Sequence, residues 1–108
     1  MNKKVVDFLL KCGIKPHLQG FMFIISAVGI ILENKDTKLS MMKKIYPEVA
    51  KIYNTTPIRV ERGIRNAIFK ANKDYKGIKN SEFIAMIALK IKVGELWKKK
   101  RRVPLYGI

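Results

Sequence analysis

The stretch Gly20 to Leu32, GFMFIISAVGIIL, runs for thirteen residues without a charge. A helical bilayer span needs about 18–20 apolar residues. The stretch is therefore expected to form a helix buried in a core, around which the other elements pack. The chain of 108 residues, 48% of them hydrophobic, has room for one domain that can bury such a helix. Its single cysteine, Cys12, excludes an intramolecular disulfide and any cysteine-based zinc site, so a reducing cytoplasm is the expected compartment. The start, Met1-Asn2-Lys3-Lys4, has the positive end of a signal peptide. Asp7 and Lys11 break the apolar stretch behind it, and no small-residue cleavage pattern follows.

Helical punctuation recurs along the chain. In residues 3–12, Val5, Val6, Phe8, Leu9 and Cys12 gather mostly on one helical face, and Gly13 follows as a stop. Ile14-Lys15-Pro16 is a connection, and residues 17–33 form the apolar helix. Asn34-Lys35-Asp36-Thr37 is a polar loop. Leu39, Met42 and Ile45 recur at spacing three and predict a short helical piece before Pro47. Beyond weak stretches, no segment alternates with period two. The expectation is an all-α, compact bundle of five to six helices. One domain would span 1–97, with a basic tail over 98–108.

Charge indicates the partner. The chain has 23 Lys+Arg against 8 Asp+Glu, a formal net charge of +15. A surplus of this size on a small body is tolerated when a polyanion neutralises it. Nucleic acid is the first candidate and an anionic membrane surface the second. Residues 1–54 hold nine basic and four acidic side chains; residues 55–108 hold fourteen and four. Five of those fourteen form the run Lys98-Lys99-Lys100-Arg101-Arg102, and without it the chain still stands at +10. That run is either a solvated end or a source of phosphate contacts.

The segment Tyr46 to Asn72 gives the charge a shape. Pro47 suits the first turn of a helix, where its missing N–H costs nothing. Val49, Ala50, Ile52 and Tyr53 then supply an apolar side over two turns. Asn54 tolerates the left-handed conformation of a sharp turn. Thr56 can cap a second helix, with Pro57 at its first position. A short helix, a tight turn and a longer helix make a helix-turn-helix. In the second helix Val60, Ile64, Ala67, Ile68 and Ala71 fall on one face. The opposite face collects Ile58, Arg59, Arg62, Arg65, Asn66, Phe69 and Lys73, with Glu61 at its edge. Arginine reads guanine bidentately, asparagine suits adenine, glutamate accepts from cytosine, and an apolar group can touch a thymine methyl.

Tyr46-Pro47-Glu48-Val49-Ala50-Lys51-Ile52-Tyr53-Asn54-Thr55-Thr56, followed by Arg59-Val60-Glu61-Arg62-Gly63-Ile64-Arg65-Asn66-Ala67-Ile68, resembles the helix-turn-helix of the DNA-binding effector domains of sporulation stage zero regulators. Gly13-Ile14-Lys15-Pro16-His17-Leu18-Gln19-Gly20-Phe21 is similar to that family's entry to its second helix. Asn80-Ser81-Glu82-Phe83-Ile84-Ala85-Met86 is similar to the start of its last one. In order, the resemblance runs from about Val5 to Lys92. It implies a sequence-specific transcriptional regulator that reads a TGTCGAA-like box, with the helix from Pro57 in the major groove. Base reading would fall to Glu61, Arg62 and Arg65, and to Asn66, which stands where the family often has histidine. Phosphate contacts would fall to Thr55, Thr56, Arg59 and Lys73. The expected partner is double-stranded DNA at the cytoplasmic nucleoid, with RNA polymerase and a second copy on tandem boxes as further candidates. The family's phosphorylatable receiver is expected to be missing, and its insert before the last helix is reduced to Lys73-Asp74-Tyr75-Lys76-Gly77-Ile78-Lys79.

Other chemistry is poorly represented. His17 is the sole histidine and has no ligand set around it in sequence; it suits a helix-start cap or a partly buried polar position. Cys12, Met22, Met41, Met42 and Met86 read as core fillers, and Trp97 as a packing residue. Gly63 reads as a site of close helix packing. No nucleophile–base arrangement, paired-carboxylate pocket or phosphate loop is present, so no enzyme, cofactor or metal is expected. Two other readings compete with sequence-specific DNA binding. One is a protein-interaction module that pairs with a full-length regulator through Phe69. The other is a non-specific nucleic-acid binder.

Overall fold

The computed structural model describes residues 2–34, 40–75 and 77–100, with the backbone alone for residues 73 and 95–100. Among the described residues there are five α-helices and no strand, an all-α bundle. Helix α1 spans Lys3–Lys11, α2 Gln19–Glu33, α3 Tyr46–Ile52, α4 Pro57–Phe69 and α5 Asn80–Lys100. A π-turn, Met41–Ile45, precedes α3, and a 3₁₀ turn, Lys73–Tyr75, lies between α4 and α5. No helix among the described residues is long and apolar enough to cross a membrane.

The uncharged stretch forms the hub. Gly20, Phe21, Phe23, Ile24, Ile25, Ala27 and Val28 of α2 are buried, and α2 packs against α1, α3, α4 and α5. Burying an Ile, Val or Phe side chain contributes about 1.5–3 kcal/mol, so a helix apolar almost all round is stable only at the centre of such a ring. It begins at Gln19, two residues later than the hydrophobic pattern suggests. Leu18 is its N-cap residue and makes no side-chain cap bond; His17 is exposed.

Local signals shape α1 as read. The Asn2 side chain accepts from the Lys4 N–H at 2.9 Å, capping the start. Val5 and Leu9 face inward. At the other end Gly13 takes φ +82°. The Gly13 N–H donates to the Leu10 carbonyl at 3.1 Å and the Ile14 N–H to the Leu9 carbonyl at 3.0 Å. This paired closure satisfies carbonyls that the helix end would otherwise leave open.

The short helical piece expected before Pro47 is not separate. Ser40 caps a wider turn in which the Ile45 N–H reaches the Ser40 carbonyl at 3.1 Å, and this turn runs straight into α3. A proline inside a helix clashes with the carbonyl four residues back; the wider turn makes room for Pro47 within continuous helical backbone. Leu39 and most of the polar loop lie outside the described residues. Met42 is 69% exposed rather than core, whereas Met22, Met41 and Met86 pack partly buried against the core and Cys12 lies within it. Helix α5 continues through Lys100, so the basic run begins inside a helix. Arg101 and Arg102 lie outside the described residues, as does the Trp97 side chain.

Two glycines set how α4 sits on α2. A Cβ on Gly20 would overlap the Gly63 carbonyl oxygen, and one on Gly63 would lie 2.9 Å from the Phe23 ring. The backbones therefore meet where side chains are missing. Gly63 was readable as a packing site; Gly20 is its partner.

Candidate nucleic-acid interface

The turn between α3 and α4 is built from backbone chemistry. Asn54 takes φ +52°. The Asn54 N–H donates to the Lys51 carbonyl at 3.4 Å and the Thr55 N–H to the Ala50 carbonyl at 2.9 Å. This is the closure seen at Gly13, here with asparagine in the left-handed position. Thr56 then caps α4: its Oγ1 accepts from the Arg59 N–H at 3.2 Å. Pro57 occupies the first turn.

Side chains fasten the two helices to the hub. Val49 and Ala50 are buried. The Tyr53 hydroxyl lies 2.7 Å from Ser26 Oγ and donates to the Met22 carbonyl at 3.3 Å. Its ring meets Phe23 edge-on at 5.3 Å. Ile52, the last residue of α3 and expected on the apolar side, is instead 60% exposed.

Helix α4 divides as its sequence pattern predicts. Val60, Ile64, Ala67 and Ile68 are buried, and Ala71 just beyond them. Arg59, Arg62, Arg65, Asn66, Ile58 and Phe69 are exposed. Arg62, Arg65, Asn66 and Phe69 line a shallow concavity of about 340 Å³. Thr55 is half-buried and Thr56 exposed, both at the N-terminal end of α4, where backbone N–H groups favour anions. Lys73 falls in the 3₁₀ turn beyond α4; its side chain lies outside the described residues.

Two of the sequence-predicted base readers meet one another. Arg65 Nη1 lies 3.6 Å from Glu61 Oε1, one helical turn apart. Such an exposed pair contributes little stability, but it holds both groups over the same part of the helix. Arg59 and Arg62 make no ion pair among the described residues, so their charge faces outward uncompensated.

Asn80 is a contributor that pattern reading missed. Among the described residues it is the buried polar side chain. Its Nδ2 donates to the Glu61 carbonyl at 3.0 Å and to the Tyr46 hydroxyl at 3.1 Å. The first residue of α5 thus ties α4 to the first residue of α3. Burial raises the Tyr46 hydroxyl above its ordinary pKa and the Glu61 carboxylate adds to this, while the Asn80 hydrogen bond and Arg65 act against it. No spacing rule marks an asparagine at a helix start as a link to two other helices.

An exposed, Arg-rich helix face held after a closed turn is suited to a groove lined with phosphates and base edges. Residues 5–78 match the family model described as the C terminal of sporulation initiation factor Spo0A. The chain belongs to the Spo0A C-terminal family. It is thus a DNA-binding effector domain of a sporulation regulator. The Spo0A match takes in α1 from Val5 onward and all of α2 to α4, including the whole helix-turn-helix and the Gly13–Phe21 stretch. It ends before α5.

Proposed function

We propose that this Spo0A-type domain is a sequence-specific transcriptional regulator acting without catalysis at the cytoplasmic nucleoid. It places α4 in the major groove of a TGTCGAA-like box. Arg62 and Arg65 donate to guanines, Glu61 accepts from a cytosine amine, and Asn66 pairs with a neighbouring base. Thr55, Thr56, Arg59 and Lys73 bind phosphates and set the register. The outward, uncompensated placement of Arg62 beside Arg65 carries this reading, because a guanidinium fork matches the guanine major-groove edge. RNA polymerase and a second copy on a tandem box are candidate partners of the bound state.

The deciding experiment is selection of bound sequences from a random DNA pool at about 150 mM salt, where non-specific attraction is largely screened. A sharp motif is the expected result. A flat outcome would leave only charge-driven binding.

A second reading has its own support. A groove of about 560 Å³ between the π-turn, α4 and the start of α5 is lined by Met41, Met42, Phe69 and Ile78, among others. Such a mainly apolar surface suits a protein partner, including a full-length regulator with which this domain would compete. Binding to that partner without DNA at high salt is the test, since salt weakens the DNA contribution and leaves apolar contacts standing.

A further inference from the structure

Ile58 is the second residue of α4 and is 63% exposed. It does nothing evident for the helix or the core. First turns favour side chains that cap or carry negative charge, and a β-branched residue has lower helix propensity than a straight-chain one. Nor is it among the side chains that pack on the hydrophobic core. Its position is more telling. Ile58, Arg62, Arg65 and Phe69 recur at spacings of four, three and four, which places them within a sector of about 60° on a helix of 3.6 residues per turn. Ile58 therefore continues the line of the arginines towards the N-terminal end, the part of a recognition helix that reaches base edges.

An isolated exposed isoleucine on an ordinary surface has no consequence. Here it adjoins a surface otherwise suited to polar base edges. The major groove offers one apolar group, the C5 methyl of thymine. We propose that Ile58 is a specificity residue that packs on a thymine methyl. The proposal rests on major-groove reading by α4. Ile58 and Arg62 are about 6 Å apart along the helix axis at 1.5 Å per residue. Two base-pair steps of about 3.4 Å cover that distance, so the thymine belongs within about two base pairs of the guanine read by Arg62.

The test is a two-by-two binding cycle by fluorescence anisotropy, using the selected box. Each thymine is replaced in turn by deoxyuridine, which removes only the methyl. Wild-type protein and Ile58→Ala are titrated against each duplex and against scrambled DNA. Loss of one buried methyl corresponds to about fourfold in affinity. The expected result is one deoxyuridine position that weakens wild-type binding by about that factor and leaves Ile58→Ala unaffected. A flat deoxyuridine series with the box still preferred over scrambled DNA would overturn the role of Ile58 and leave base reading by the arginines intact. A methyl effect that persists in Ile58→Ala would assign the thymine to another side chain. Equal affinity of the wild-type protein for box and scrambled DNA would instead remove the major-groove reading itself, and the proposal with it. The exposure of Ile58 makes a folding defect unexpected, and an unchanged thermal midpoint of the variant checks this.

Discussion

The two faces of α4 share one backbone and obey different rules. On the inner face Val60 and Ile64 are fully buried, and Gly63 lets the helix approach α2 closely. What counts there is volume and fit. On the outer face Arg62 and Arg65 stand in solvent with nothing to fill. What counts there is the functional group and its direction. A helix built this way separates stability from recognition, so substitutions on one face should leave the other's measurement alone.

The largest effect is expected inside. Ile64→Ala removes a buried branched chain and should destabilise by about 2–5 kcal/mol, read by chemical denaturation. The ratio of affinities for box and scrambled DNA should hold among molecules that remain folded. A lost ratio would show that core packing sets base readout and would break the comparison.

Next comes the helix crossing. Gly20→Ala drives a methyl into the Gly63 backbone, which cannot move without shifting a helix; a loss of about 1–3 kcal/mol is expected. Gly63→Ala meets only the edge of the Phe23 ring, and alanine also restores up to about 1 kcal/mol of helix propensity. It should therefore cost less than Gly20→Ala. The reverse order would mean that the ring, and not the backbone, fixes the spacing of α2 and α4.

On the outer face the measurement changes kind. Arg62→Ala or Arg65→Ala should each lose about 1–3 kcal/mol of box binding and relax the preference at one base pair, with an unchanged melting temperature. Arg65→Ala also frees Glu61 from its ion pair, so the cytosine position assigned to Glu61 should shift more in that variant than in Arg62→Ala. If Arg62→Ala weakened box and scrambled DNA alike, its guanidinium would be a phosphate contact only.

How far these faces were legible in the sequence depended on the range of the forces involved. The turn was legible because its signals are local: Asn54 for a left-handed residue, Thr56 for the cap and Pro57 for the first turn act within four positions. The division of α4 was legible because helical periodicity is strict. The Glu61–Arg65 pair also has a local signal, an acid one turn before an arginine. Asn80 had none, since its partners Tyr46 and Glu61 come from two other helices. The exposure of Ile52 and Met42 was hidden for the same reason: an apolar pattern gives a face, and only the neighbours decide whether that face is covered.

The smallest effect tests the boundary between reading and holding. Arg59 lies about 100° around the helix from Ile58, off the line of Arg62 and Arg65. It sits one turn after the Thr56 cap, near the open N–H groups of the helix start. Beside those N–H groups, its guanidinium is expected to meet a phosphate. Arg59→Ala is expected to weaken box and scrambled DNA by the same factor and to make the salt dependence of binding less steep by about 0.9 in log–log slope, the share of one phosphate. Affinities measured at three or four salt concentrations on both duplexes give both quantities. A change in the ratio with no change in slope would move Arg59 onto the reading face, beside Asn66.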